Sequence, residues 1–168
     1  ITYSIGGGDL SDGTSKTTKQ SLYDKTTMKT ILEWCQQTGK TFWEYVEDTE
    51  GTEIYDYLGE VWYTMESAIY RGLDGEGLLP GGLGLQRKAS MYYIKSKGYQ
   101  GSMKSRALIY SYALAVSEEN ASGGLIVTAP TCGSCGILPS VLYHLKMNHD
   151  FSDKKIVRSL ATAGLIGK

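Results

Sequence analysis

Thr128-Ala-Pro-Thr-Cys-Gly-Ser-Cys-Gly136, running into Ile137-Leu-Pro-Ser-Val-Leu-Tyr-His-Leu145, is a short polar connection between two segments of helical periodicity. Upstream, Ala107, Leu108, Tyr112, Ala115 and Val116 recur at helical spacing over Lys104–Ala121. Downstream, Leu138, Val141, Leu142 and Leu145 do the same. A helix on either side, with only Leu125–Thr128 extended between them, makes the chain mainly α. The connection carries thiols at Cys132 and Cys135, hydroxyls at Thr131 and Ser134, and glycines at Gly133 and Gly136. Glycine leaves backbone N–H groups open to a ligand, and the following helix adds its own unpaired N–H groups. Such a turn suits an anion, a carboxylate or a phosphate.

Moving outward, the same period predicts further helices. Met28, Ile31, Leu32 and Cys35 fall at i, i+3, i+4 and i+7 before Gly39, which places Cys35 on a buried face. Thr41 and Glu44 form a capping box for a short helix presenting Phe42, Tyr45 and Val46. Ile54, Leu58, Val61, Met65, Ala68 and Ile69 line a long helix from about Glu53 to Arg71, with Gly59 at its middle. The leucines of Gly72–Gly84 suggest a loop pressed onto the body, followed by a helix near 87–96. Ala107, Ser111, Ala113 and Ala115 would let neighbours approach closely. Glu118 and Glu119 stand at the unfavourable end of the helix dipole, so they need either solvent, the simpler reading, or a partner such as a hydroxyl, a lysine or a substrate ammonium. Asp153 caps a final helix, with Ile156, Val157, Leu160 and Ala163 inward.

Composition narrows the class. The chain has 168 residues, 41% hydrophobic and 21% charged, a soluble balance with room for one real core. A formal net charge of −1 without a basic block argues against a nucleic-acid surface. No apolar run reaches membrane-spanning length. Three cysteines, Cys35, Cys132 and Cys135, make no disulfide framework, which fits a cytoplasmic setting. Thirteen tyrosines against two phenylalanines mean that many buried rings carry a hydroxyl seeking a partner. At the other end of the chain, Ile1–Ile5 reads as a strand entering Gly6-Gly-Gly8, a possible anion nest. Asp9–Lys25 reads as a polar loop or linker.

Cys132-Gly-Ser-Cys135 admits several chemistries. A redox pair wants C-x-x-C beside a βαβ unit, and no sheet is legible. Zinc needs four ligands, and only Cys35, His144 and His149 remain to complete a set. An iron–sulfur cluster needs more thiolates than these. His144 reads as a core residue and His149 as exposed. The last possibility is that both thiols merely line a pocket.

Pro130-Thr-Cys-Gly-Ser-Cys-Gly136, Ala113-Leu-Ala-Val-Ser-Glu-Glu-Asn-Ala121, Leu79-Pro-Gly-Gly-Leu83 with Arg87-Lys-Ala89, Phe42-Trp-Glu-Tyr45 and Ser4-Ile-Gly-Gly-Gly8 stand in one order along the chain. Together they resemble the iron–sulfur-dependent L-serine dehydratases. The resemblance implies a lyase that converts L-serine to pyruvate and ammonia without pyridoxal phosphate. One iron of a [4Fe–4S] cluster acts there as Lewis acid on the substrate hydroxyl, and a protein base takes the α-proton. It also implies that residues 1–24 end a small α/β domain, contributing the N-terminal strand, and that 25–168 begin a helical catalytic domain. The family's cluster cysteines would lie beyond Lys168, and many members carry alanine at the position of Cys132. Cys132 and Cys135 are therefore placed not on the cluster but, with Thr131, Gly133, Ser134 and Gly136, in the serine pocket, with Ser4, Gly6, Gly7 and Gly8 contributing. On this view the 168-residue chain is incomplete and inactive alone. It should expose apolar surface along Ile156–Ile166, and its thiols should be partly buried. The full-length protein would be a cytoplasmic homo-oligomer. A related L-cysteine desulfidase and a non-enzymatic helical module binding a small amino acid are the alternatives.

Overall fold

The structure, a computed structural model, describes the backbone of residues 3–6 and 9–11 and all of residues 22–128 and 131–167. Seven α-helices dominate the described residues: α1 (Met28–Thr38), α2 (Phe42–Glu50), α3 (Ile54–Asp74), α4 (Ala89–Ser96), α5 (Gly101–Ala121), α6 (Ile137–His149) and α7 (Asp153–Gly167). At the N-terminus, β1 (Tyr3–Gly6) pairs antiparallel with β2 (Asp9–Ser11). The assignment of this segment to a preceding α/β domain stays an expectation. Leu125–Thr128, expected as an extended run, takes no strand partner among the described residues.

Local signals set several boundaries. The Thr27 hydroxyl accepts from the Thr30 N–H at the start of α1, and Gly39 closes the helix at φ 72°. The predicted capping box of α2 is present, with Glu44 Oε2 accepting from the Thr41 N–H at 2.8 Å. The start of α7 differs from expectation. The Ser152 carbonyl accepts the first helical N–H bonds, and the Asp153 carboxylate instead meets Lys146 Nζ at 2.7 Å. Lys146 also reaches Glu66 Oε1 at 3.0 Å, so one ammonium on α6 ties α3 to α7.

Two apolar cores share α7. In the larger, Trp62, Met65 and Ile69 of α3 meet Leu108, Tyr112 and Val116 of α5, Leu142 and Tyr143 of α6, and Ile156 and Leu160 of α7. In the smaller, Ile31 of α1 and Tyr45 and Val46 of α2 close over Ala161 and Leu165. Expectation fails here in two places. Ile156, Leu160 and Leu165 are buried rather than exposed, because α2 and α3 cover the inward face of α7; Val157 and Ala163 are half-buried and Ile166 is exposed. Of the Gly72–Gly84 leucines, Leu73 packs on the larger core and Leu79 is half-buried, but Leu78 and Leu83 are exposed; the 75–88 connection closes on itself through Leu79 N–H to the Leu85 carbonyl (2.7 Å) and Arg87 N–H to the Gly77 carbonyl (2.9 Å). Cys35 is half-buried, and Met28 and Leu32 of the same predicted stripe are exposed, since α2 and α7 close over the side of α1 that carries Ile31.

Helix α5 is the axis of the larger core and packs against α3, α4 and α6. Its small residues make this possible, as their spacing predicts. A Cβ added to Gly72 of α3 would lie 2.2 Å from the Ala115 carbonyl oxygen, so the two backbones touch. Tyr70, Tyr143, Tyr112 and Tyr93 stack in a chain of ring contacts across α3, α6, α5 and α4, and burial pushes the Tyr112 hydroxyl up to about 12.

Candidate functional site

The polar turn lies where α5 ends and α6 begins. Cys132–Ser134 forms a single 3-10 turn, with Thr131 and Ser134 closing a capping box around it. The Ser134 N–H donates to the Thr131 carbonyl at 3.1 Å, and the two hydroxyl oxygens lie 3.2 Å apart. This makes the turn rigid in its own right. Thr131, Cys132 and Gly133 are exposed, Ser134 is half-buried, and Cys135 and Gly136 are buried. The motif thus divides into an outer face and an inner anchor. Cys135 belongs to the larger core, and Gly136 sits so close to α5 that a Cβ would lie 2.4 Å from the Ala113 carbonyl oxygen. Asn120 Nδ2 donates to the Cys132 carbonyl at 3.2 Å, a second tie from α5 to the turn. Ser4 and Gly6 lie in β1, and Gly7 and Gly8 lie outside the described residues, so the glycine segment is not joined to the turn by anything described.

Beside the turn, the last turn of α5 holds a buried polar cluster. Glu118 and Glu119 are 3% and 8% exposed, which overturns the reading of solvated acids. Each has found partners from other elements. Glu118 Oε1 accepts the Lys88 N–H at 2.6 Å and the Ala89 N–H at 3.2 Å, the orphan donors at the start of α4. Its Oε2 is buried without a hydrogen-bond partner. Glu119 Oε2 accepts from Arg71 Nε at 2.9 Å, and Glu119 Oε1 lies 3.5 Å from Arg87 Nη1. Arg71 Nη2 donates to the Leu125 carbonyl at 2.6 Å, and Arg87 Nη2 to Ser122 Oγ at 2.5 Å. Two guanidinium groups therefore meet the Glu119 carboxylate, and two backbone N–H groups meet Glu118, at a helix end that by its dipole disfavours both acids. Glu119 is the buried partner of these pairs, and Arg71, 43% exposed, keeps contact with water. The acids at the end of α5 were the legible signal for this cluster. Arg71 was not, because its partner stands 48 residues away.

The thiols and imidazoles separate. Cys132 is exposed, a departure from the expected partial burial, whereas burial pushes the Cys135 thiol up from its ordinary range. Cys35 lies with the smaller core. His144 is buried, with Asn148 Nδ2 3.1 Å from its Nδ1, and burial together with nearby His149 holds it below the ordinary 6.5. Among the described residues no three His, Cys, Asp or Glu side chains converge as metal ligands would. The donors present thus do not fit a complete iron–sulfur or zinc centre. Among them, too, no helix is long and apolar enough to cross a membrane.

This geometry defines a class first: a helical domain in which the end of one buried helix holds a polar, partly exposed turn. The family model for the serine dehydratase alpha chain matches residues 14–168, and the chain belongs to that family. It is 35% identical to an L-serine dehydratase of Streptomyces coelicolor, over 98% of this chain and 39% of that protein. It is 37% identical to an L-serine dehydratase of Haemophilus influenzae and 37% identical to L-serine dehydratase 1 of Escherichia coli, each over 98% of this chain and 40% of the relative. The chain therefore spans about two fifths of the length of these curated relatives.

Proposed function

We propose that this chain forms one wall of the substrate site of an L-serine ammonia-lyase, which converts L-serine to pyruvate and ammonia. Support comes from the family relationship and from one structural observation: the turn Thr131–Ser134 is presented outward on a base locked to α5 by Asn120, Cys135 and Gly136. A rigid turn with exposed backbone at Cys132 and Gly133, next to the start of α6, is suited to a substrate carboxylate. In this reading Thr131, Cys132, Gly133 and Ser134 meet the substrate, and Cys135 and Gly136 hold them in place. The Ser4–Gly8 segment is proposed to join the same pocket.

The proposed cofactor of the whole protein is a [4Fe–4S] cluster, which supplies a Lewis acid for departure of the hydroxyl group. The described residues do not fit it, so its thiolates would come from elsewhere in the protein. The part assigned to this chain is to bind and orient the substrate. Residues 25–168 are proposed as the first part of a helical catalytic domain, in a cytoplasmic homo-oligomer.

The test uses the full-length protein, reconstituted with iron and sulfide without oxygen. L-serine should yield pyruvate, and the 168-residue chain alone should yield none. Thr131→Ala should raise KM for L-serine about tenfold, as loss of one substrate-facing group does. Sulfide released from L-cysteine with no pyruvate from L-serine would make the protein a desulfidase. Serine binding without iron or turnover would make it a binding module.

A further inference from the structure

The chain leaves α5 over the Glu119 carboxylate, and everything that follows depends on that exit. The Gly124 N–H donates to the Glu119 carbonyl at 2.8 Å, and a Cβ at Gly124 would lie 2.6 Å from Glu119 Oε2. The carboxylate therefore fills the space beneath the departing backbone. Arg71 spans both sides of the exit with one planar fork, Nε to Glu119 Oε2 at 2.9 Å and Nη2 to the Leu125 carbonyl at 2.6 Å. Lysine lacks this fixed planar fork, so it would not hold the two acceptors in the same geometry. A few residues later the chain returns to α5, where Asn120, adjacent to Glu119, receives the turn through the Cys132 carbonyl. Gly124 and Leu125 are thus held at the exit from α5, and Cys132 is held at the return.

We propose that Arg71 and Glu119 are positioning residues for the Thr131–Gly136 turn. The Arg71–Glu119 pair fixes the last turn of α5, and Asn120 of that same turn holds the Cys132 carbonyl and with it the outer face. The proposal rests on reading that face as the substrate site. Misplacement of a binding group by about 1 Å is enough to lose much of its contribution. A simple stabilising ion pair would behave differently. Its loss would lower the melting temperature, and restoring the charge would restore everything.

The turn carries its own reporter, because Cys132 is exposed while Cys135 is 1% exposed. In the full-length protein, kept anaerobic, the variants Glu119→Gln, Arg71→Met and Arg71→Lys are compared by serine kinetics. Iodoacetamide labelling, mapped by peptide mass spectrometry, is followed in parallel. Glu119→Gln and Arg71→Met should raise KM for L-serine about tenfold while kcat falls less than about threefold. Cys135 should label about tenfold faster in both, with Cys132 unchanged within about threefold. Arg71→Lys should recover most of the melting temperature but keep a raised KM and a labelled Cys135. Wild-type KM and slow Cys135 labelling in Arg71→Met, or full recovery of both by Arg71→Lys, would overturn the proposal. If Glu119→Gln does not fold, Arg71→Met decides, since its side chain is 43% exposed and its removal leaves no large cavity. A wild-type protein that makes no pyruvate from L-serine refutes the dehydratase reading, while Cys135 labelling still decides the positioning role.

Discussion

At Gly136 a single hydrogen separates close packing from a clash. The turn is anchored there by backbone contact with α5, and the space left for a side chain is nil: a Cβ would meet the Ala113 carbonyl oxygen at 2.4 Å. Three residues earlier, at Gly133, the nearest atom to an added Cβ is Thr131 Oγ1 at 3.9 Å, an ordinary contact. Gly136→Ala should therefore lower stability by about 1–3 kcal/mol, the cost of forcing atoms into a packed site. Gly133→Ala should stay within about 0.5 kcal/mol of wild type. Urea midpoints of the two variants check the contrast, and equal midpoints would refute the division into outer face and inner anchor. Cys132 and Cys135 show the same division, one thiol in water and the other in the core.

Among the elements, α3 shows how a residue's cost depends on whether a neighbour needs it. Gly72 is where α3 touches the backbone of α5, and its missing side chain is required there. Gly59, equally a glycine in the helix, has nothing within 4 Å of an added Cβ and has no positive φ. It permits no close crossing and leaves only the entropic cost of glycine in a helix. Gly59→Ala should raise stability by about 0.5–1 kcal/mol, read as a higher melting temperature. In helix α5 the buried face, Leu108, Ser111, Tyr112, Ala115 and Val116, follows the spacing of the sequence, and its small residues let neighbouring backbones come close.

For the molecule as a whole, pH provides a probe of how the helices are docked. His144 is buried in the folded chain, and its proton affinity is held below the ordinary 6.5. As pH falls through that value the unfolded chain takes up a proton that the folded chain resists. Stability should therefore decline on acidification below about pH 6.5 and recover as pH rises. Replacing His144 by glutamine should remove up to about one proton from that slope, measured as urea midpoints between about pH 5 and pH 7.5. Asp153 acts in a separate, lower window. Lys146 holds its carboxyl below the ordinary 3.8, so its contribution is present above that pH and lost beneath it. An unchanged slope in His144→Gln would mean that the imidazole is open to water.

What could be read directly from residue order was local. The spacing of Ile54 to Ile69 announces α3, Gly39 ends α1, and Thr41 with Glu44 opens α2, because each depends on neighbours within a turn or two. The fate of charged and apolar faces is not legible in this way, since it depends on which helices dock. Glu119 is buried because Arg71 and Arg87 arrive from distant positions, and α7 is covered because α2 and α3 close over it. Local order specifies backbone hydrogen bonds and periodicity. Docking decides which groups lose water, and so which glutamates are buried and which thiol stays exposed.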